Sequence, residues 1–183
     1  MRVIAGKAKG TVLKTPDGMK TRPTADRVKE ALFSIIQFDL PGAAVLDLFG
    51  GTGQLGIEAI SRGARRAVFV DESEAACRLI RDNLKKARME GEGEVIRGDY
   101  LAYLKRCRDR FNLIFLDPPY AEVFLETALV QISQIDILQT GGIIVTERPL
   151  GKELPTELGD IPAPKTINME RSYSRCTAKS KFD

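Results

Sequence analysis

The stretch Ala44-Val45-Leu46-Asp47-Leu48-Phe49-Gly50-Gly51-Thr52-Gly53-Gln54-Leu55-Gly56 decides the fold. It opens as a short, continuous apolar strand broken by one acid, passes through a cluster of glycines and runs into a helix over 54–62 that ends at Gly63. A strand apolar on both faces belongs in the middle of a parallel sheet covered by helices. Downstream the pattern repeats. Ala67–Val70 is a strand closed by Asp71, and Ser73 caps a helix over 74–88 whose inward face is Ala76, Leu79, Ile80, Leu84 and Ala87. Strand Glu94–Arg97, helix Tyr100–Cys107, strand 112–116, helix 122–135 and strand Ile143–Thr146 follow. After Pro149, Pro155, Pro162 and Pro164 two β-like stretches remain, near 165–170 and 173–178. Strands alternating with helices predict parallel βαβ units, hence an α/β doubly wound, Rossmann-like sheet.

Upstream, Val3–Ala5 and Thr11–Leu13 predict a Lys-rich hairpin around Gly6, Gly10 and the turn Pro16-Asp17-Gly18. Val28, Ala31, Leu32, Ile35 and Ile36 then recur at helical spacing, with Thr24 as the expected N-cap and Asp26 in the first turn. Pro41-Gly42 ends that helix. The expected organisation is a basic extension over 1–42 attached to a core over 43–183, together one structural domain.

The chain has 183 residues, 28 basic and 25 acidic, for a formal net charge of +3. No His is present, which excludes Ser-His-Asp and Cys-His machinery and imidazole metal ligands. Cys77, Cys107 and Cys176 form no C-x-x-C pair, so they read as structural thiols rather than a metal site. No signal-peptide core and no apolar run near the roughly 20 residues of a membrane span are visible. The expectation is a cytoplasmic, monomeric protein. The net charge conceals an asymmetry: residues 1–29 carry +6, residues 30–164 carry −6 and residues 165–183 carry +3. Basic ends of this kind attract polyanions, phosphate backbones above all.

Gly51-Thr52-Gly53-Gln54-Leu55-Gly56 matches G-x-G-x-x-G, and Asp71 lies 20 residues past Gly51. That pattern alone fits a dinucleotide site of an NAD-dependent oxidoreductase. Asp47 argues against it, because a carboxylate there repels a pyrophosphate and attracts an ammonium group. Strand ends or the loops after them carry Asp47, Asp71, Asp99 and Asp117, a rim of acids suited to S-adenosylmethionine, which bears a ribose, an ammonium and a sulfonium but no phosphate. After the fourth strand stands Asp117-Pro118-Pro119-Tyr120. Its prolines stiffen the backbone and remove N–H donors. The Asp carboxylate and a Pro carbonyl then make two fixed acceptors for the hydrogens of an exocyclic –NH2, and Tyr120 offers a face on which a flipped base stacks.

Four stretches together resemble the class I methyltransferases that act on amines, and more closely the RsmD-like bacterial small-subunit ribosomal RNA guanine-N2 methyltransferases. They are Gly6-Lys7-x-Lys9-Gly10, Thr21-Arg22-Pro23-Thr24-x-Asp26-Arg27-Val28-Lys29-Glu30-Ala31-Leu32-Phe33, Leu46 to Gly56, and Phe115-Leu116-Asp117-Pro118-Pro119-Tyr120. The resemblance covers nearly the whole chain. It implies a seven-stranded sheet whose last strand is antiparallel. It also implies that Asp47, Phe49 and Gly51 to Gly53 bind S-adenosylmethionine, with Asp71 on the ribose hydroxyls and Asp99 on the adenine amine. Thr24 would close the pocket, and Asp117, Pro118, Pro119 and Tyr120 would be catalytic. Arg2, Lys7, Lys9 and Arg22 are chosen for 16S rRNA phosphates on charge. No metal is expected. Two departures stand out: Ser174 follows Tyr173 where the family often has Gly, and Gly50 replaces a common Ala, a change that reads as minor. Within the class, adenine-N6 or cytosine-N4 methylation is the alternative; outside it, a non-catalytic RNA-binding module.

Overall fold

The computed structural model describes residues 1–16, 23–118, 121–149, 165–171 and 179–180. In chain order the elements are α1 (Pro23–Ile35), β1 (Ala44–Asp47), α2 (Gln54–Ser61), β2 (Arg66–Asp71), α3 (Glu74–Ala87), β3 (Gly93–Arg97), α4 (Tyr100–Arg106), β4 (Phe111–Leu116), α5 (Ala121–Gln134), β5 (Leu138–Pro149), β6 (Lys165–Arg171) and β7 (Lys179–Ser180). The strands form one sheet in the order β3-β2-β1-β4-β5-β6-β7. All pairings are parallel except β6 with β7, so the last strand is antiparallel and lies at the edge. No described helix is long and apolar enough to cross a membrane.

Side-chain alternation along the strands builds two cores. Val45, Ala67, Phe69, Leu113, Phe115, Ile143 and Val145 project to one face, under α1, α2, α3 and the N-terminal segment. Ala44, Leu46, Val68, Val70, Ile114, Leu116 and Ile144 project to the other, under α4 and α5. Both faces of the central strands are covered, which is why those strands read as unbroken apolar runs. α2 packs against β2 so closely that a Cβ on Gly56 would run into the Phe69 ring.

The strand order reverses between β1 and β4, and such a switch point opens a crevice at the carboxyl ends of its strands. Register fixes what borders it: Asp47 pairs with Phe69 on one side and Phe115 on the other, while Asp71 pairs with Arg97.

Several expectations are corrected. α1 begins at Pro23, so Thr24 lies inside the first turn instead of capping it; proline's fixed φ and missing N–H suit the first helical position. The inward face of α3 carries Cys77 and Asn83 as fully buried residues, whereas Ala76 and Leu79 are only half-buried. The N-terminal hairpin is a single antiparallel bridge, Arg2 with Val12, closed through Gly6 and Gly10; Asp17 and Gly18 of the expected turn lie outside the described residues. Residues 4 and 5 do not extend it because a side chain of α2 claims their N–H groups. The β-like stretch 173–178 lies outside the described residues, and β7 starts at Lys179.

Candidate active site

The glycine loop is shaped by two left-handed residues, Gly51 at φ 54° and Gly53 at φ 76°, conformations that side-chain-bearing residues rarely adopt. Gly53 is the N-cap of α2 and has no side chain with which to cap it. Asp47 takes over that task from the end of β1, its Oδ2 accepting the Gly56 N–H at 3.2 Å. A carboxylate at a helix N-terminus is favourable. Even so, Asp47 is 2% exposed and makes that one hydrogen bond among the described residues. Burial, aided by the neighbouring Asp71 charge, pushes its carboxyl up to about 7. A buried carboxylate with an oxygen lacking a donor is costly unless a ligand completes it.

Asp71 is already organised. Its Oδ2 accepts from Gly51 N at 2.9 Å and its Oδ1 from Ser73 N at 2.8 Å. One carboxylate thereby ties the glycine loop to the start of α3, with lone pairs remaining for a vicinal diol. Asp99, expected from the family resemblance on the adenine amine, is also the N-cap of α4, its Oδ1 accepting from Ala102 N at 2.8 Å.

The Phe49 ring leaves the loop toward the second core and packs against Tyr100 at 5.1 Å with the two rings tilted by 44°, and Tyr100 in turn meets Phe124 edge-on at 5.8 Å. Beyond β4, Asp117 is half-buried and Pro118 buried. Pro119, Tyr120 and Arg22 lie outside the described residues, as does the side chain of Thr24. The loop after β4 begins across the switch point from the glycine loop, because Leu48 N donates to Phe115 O at 3.1 Å. Gly50 sits tightly: a Cβ there would stand 2.8 Å from Ile80 Cδ1, so the Ile80 tip must shift for an Ala to fit.

Of the basic candidates, Arg2 pairs with Asp26 at 3.8 Å and Lys7 with Glu92. Lys9 is exposed and has no carboxylate partner among the described residues. Both pairs lie at the surface, where such contacts are weak.

Sequence reasoning missed the group that holds the N-terminal segment down. Glu58, on α2 and fully buried, accepts from Ile4 N at 2.8 Å and Ala5 N at 3.0 Å and pairs with Arg62 at 2.8 Å and Lys29 at 3.4 Å. Lys29 is itself 3% exposed and donates to Arg2 O at 2.6 Å; burial pulls its ammonium pKa below the ordinary value against the pull of Glu58. Ser61, one turn on, accepts from Ala8 N at 3.0 Å and donates to Ala5 O at 2.5 Å. An acid between Ile57 and Ala59, flanked by apolar helix positions, was the available signal.

The acids at the ends of β1 and β2 suit a ligand with an ammonium head and a ribose. The family model described as conserved hypothetical protein 95 matches residues 1–174. The Bacillus subtilis (strain 168) protein named "Putative rRNA methyltransferase YlbH" is 42% identical over 88% of this chain and 89% of its own length. Ribosomal RNA small subunit methyltransferase D of Escherichia coli (strain K12) is 30% identical over 93% of this chain and 84% of its own. Among solved structures, a hypothetical protein of Thermus thermophilus superposes with a TM-score of 0.73 at 30% identity, covering 85% of this chain and 90% of that one. Fold, glycine loop and full-length similarity agree, and the chain belongs to the conserved hypothetical protein 95 family, that of the ribosomal RNA small subunit methyltransferase D proteins.

Proposed function

We propose that this protein transfers a methyl group from S-adenosylmethionine to the exocyclic N2 amine of a guanine in 16S rRNA, acting as a cytoplasmic monomer on a small-subunit particle or assembly intermediate. The observation that carries the reading is the pair of acids flanking the β1/β4 switch point: Asp47, buried with a single hydrogen bond among the described residues, and Asp117, opening the loop across from it. A buried anion that lacks a partner fits a cationic ligand and disfavours a pyrophosphate.

Bound S-adenosylmethionine supplies an activated methyl on a sulfonium. The protein's own residues bind and orient. Asp47 faces the ammonium head, the backbone of Gly51 to Gly53 lets the ligand approach, and the Asp71 carboxylate accepts from the ribose hydroxyls. With Asp99 Oδ1 engaged as a cap, its Oδ2 meets the adenine amine. Phe49, whose ring lies against Tyr100, borders the same pocket, and Thr24 closes it from α1. Asp117 and the Pro118 carbonyl accept the two hydrogens of the target amine, which turns its lone pair toward the methyl donor; Pro119 stiffens the loop and Tyr120 stacks on the base. The amine proton leaves after transfer, when the nitrogen is cationic and acidic, so no strong base is needed and the lack of His is no handicap. Residues 1–42 serve as the RNA-facing extension of a 43–183 core, with Lys9 and Arg22, together with Arg2 and Lys7 once their carboxylate partners are exchanged, on phosphates.

The test is digestion of small-subunit particles to nucleosides after incubation with labelled cofactor. N2-methylguanosine is expected; N6-methyladenosine overturns the substrate assignment. Asp117→Ala should lower transfer at least about 100-fold, the scale of a lost positioned group, while calorimetry shows S-adenosylhomocysteine binding nearly unchanged.

A further inference from the structure

Asn83 lies in the interior of α3, where asparagine is a poor helix former, and it is fully buried. Its side chain reaches out of the helix in two directions. Nδ2 donates to Thr52 O at 2.9 Å and to Lys14 O at 3.1 Å, and Oδ1 accepts from Lys14 N at 2.7 Å. Thr52 stands between the two left-handed glycines of the cofactor loop, and Lys14 belongs to the basic N-terminal segment. A second, weaker tie joins the same two segments, Thr52 Oγ1 to Met1 Sδ at 3.6 Å.

We propose that Asn83 is a positioning residue of the methyl-transfer site, its amide fixing the glycine loop at Thr52 and the N-terminal arm at Lys14 in one register. The inference rests on the reading of the rim as a methyl-donor site. Both partners are backbone groups, so their position is read irrespective of the side chains at 14 and 52. A primary amide is the group for this task, since it presents a donor pair and an acceptor on one rigid plane. The peptide of Lys14 is matched on both its N–H and its C=O side, as in a strand pairing of one residue. Without the amide, Thr52 O loses a buried donor; Asp71 still holds Gly51 N, but the Thr52 peptide between two glycines is less restrained, because glycines put up little resistance to rotation. Loop geometry and arm placement then change together, although Asn83 need touch neither cofactor nor RNA.

The experiment uses the full chain carrying Asn83→Leu, which keeps the volume and removes the amide. If that variant does not fold, Asn83→Ser is used, its hydroxyl and the space beside it admitting water to the two carbonyls. Calorimetry with S-adenosylhomocysteine and retention of a small-subunit ribosomal RNA transcript are both read. The expected result is at least a tenfold rise in Kd for each, with the calorimetric stoichiometry still near one. A purely structural role instead lowers the stoichiometry, through loss of folded molecules, and leaves both Kd values where they were; that result overturns the proposal. So does a change in one Kd without the other, since one amide is held to set both segments. Failure of the unsubstituted protein to bind S-adenosylhomocysteine refutes the methyl-donor reading itself, a separate outcome.

Discussion

Two carboxylates are buried on the α2 side of the sheet, and their surroundings are opposite. Glu58 has two backbone N–H donors, a lysine and an arginine; Asp47 has one backbone N–H and an acid for a neighbour. They are adjacent in the helix they serve, since the Gly56 N–H that Asp47 accepts lies two residues before Glu58. Burial alone therefore separates nothing. What separates them is completion among the described residues: Glu58 is satisfied by the protein and holds an arm in place, whereas Asp47 is left incomplete, as the proposed cofactor role requires. A cost of several kcal/mol attaches to an uncompensated buried charge, and the cofactor role proposed for Asp47 accounts for it.

The largest effect is expected at Glu58. Glu58→Gln removes the charge that compensates Lys29 and should cost about 3–5 kcal/mol in urea denaturation, the range for breaking a buried pair. A cost below about 1 kcal/mol would show that Glu58 is not the completed member. Asp47→Asn should act with the opposite sign. The amide still accepts from Gly56, but no charge is buried, so the ligand-free protein gains on the order of 2 kcal/mol at pH 8, part of what a shift from 3.8 to about 7 implies. S-adenosylhomocysteine binding should weaken in the same variant. An Asp47→Asn protein that is less stable and binds unchanged would reverse the two roles.

A third expectation concerns pH. The folded-state value of Asp47 lies above its unfolded value, so this group's contribution favours the folded state at low pH and is lost as pH rises from about 4 to about 7. Binding of an ammonium-bearing ligand runs the other way. Its affinity should rise about tenfold between pH 6 and pH 8 as the carboxyl ionises, and Asp47→Asn should flatten that profile in calorimetry. The smallest effect is at the edge of the Glu58 cluster. Ser61→Ala removes the hydroxyl shared by Ala8 N and Ala5 O and should cost about 1 kcal/mol in the same denaturation series, the scale of one neutral hydrogen bond.

Much of this was visible in the residues. The apolar run around Asp47, the glycines after it and Ser73 before α3 carry local signals, since strand burial, left-handed turns and caps depend on a few adjacent residues. The β1-to-β4 part of the rim followed from the rule that ligands gather at strand ends. Other parts had no local mark. Thr24 looked like a cap, and proline at the preceding position moved the helix start upstream of it. Arg2 and Lys7 looked free for phosphates, but Asp26 and Glu92 reach them, one of them 85 residues away in the chain. Asn83 carries no local mark at all, because its partners are 69 and 31 residues distant.

The α/β alternation, the glycine turn, the acids at the strand ends and the charge split between ends and middle are all legible in the residues, because each is written in neighbouring positions or in a short period. Only the tertiary structure decided which buried carboxylate is complete, which cations are already paired and which amide joins the arm to the loop. Hydrogen bonds and charge compensation depend on what stands within about 3 Å, and residues far apart in the chain become neighbours only when the sheet and helices bring them together.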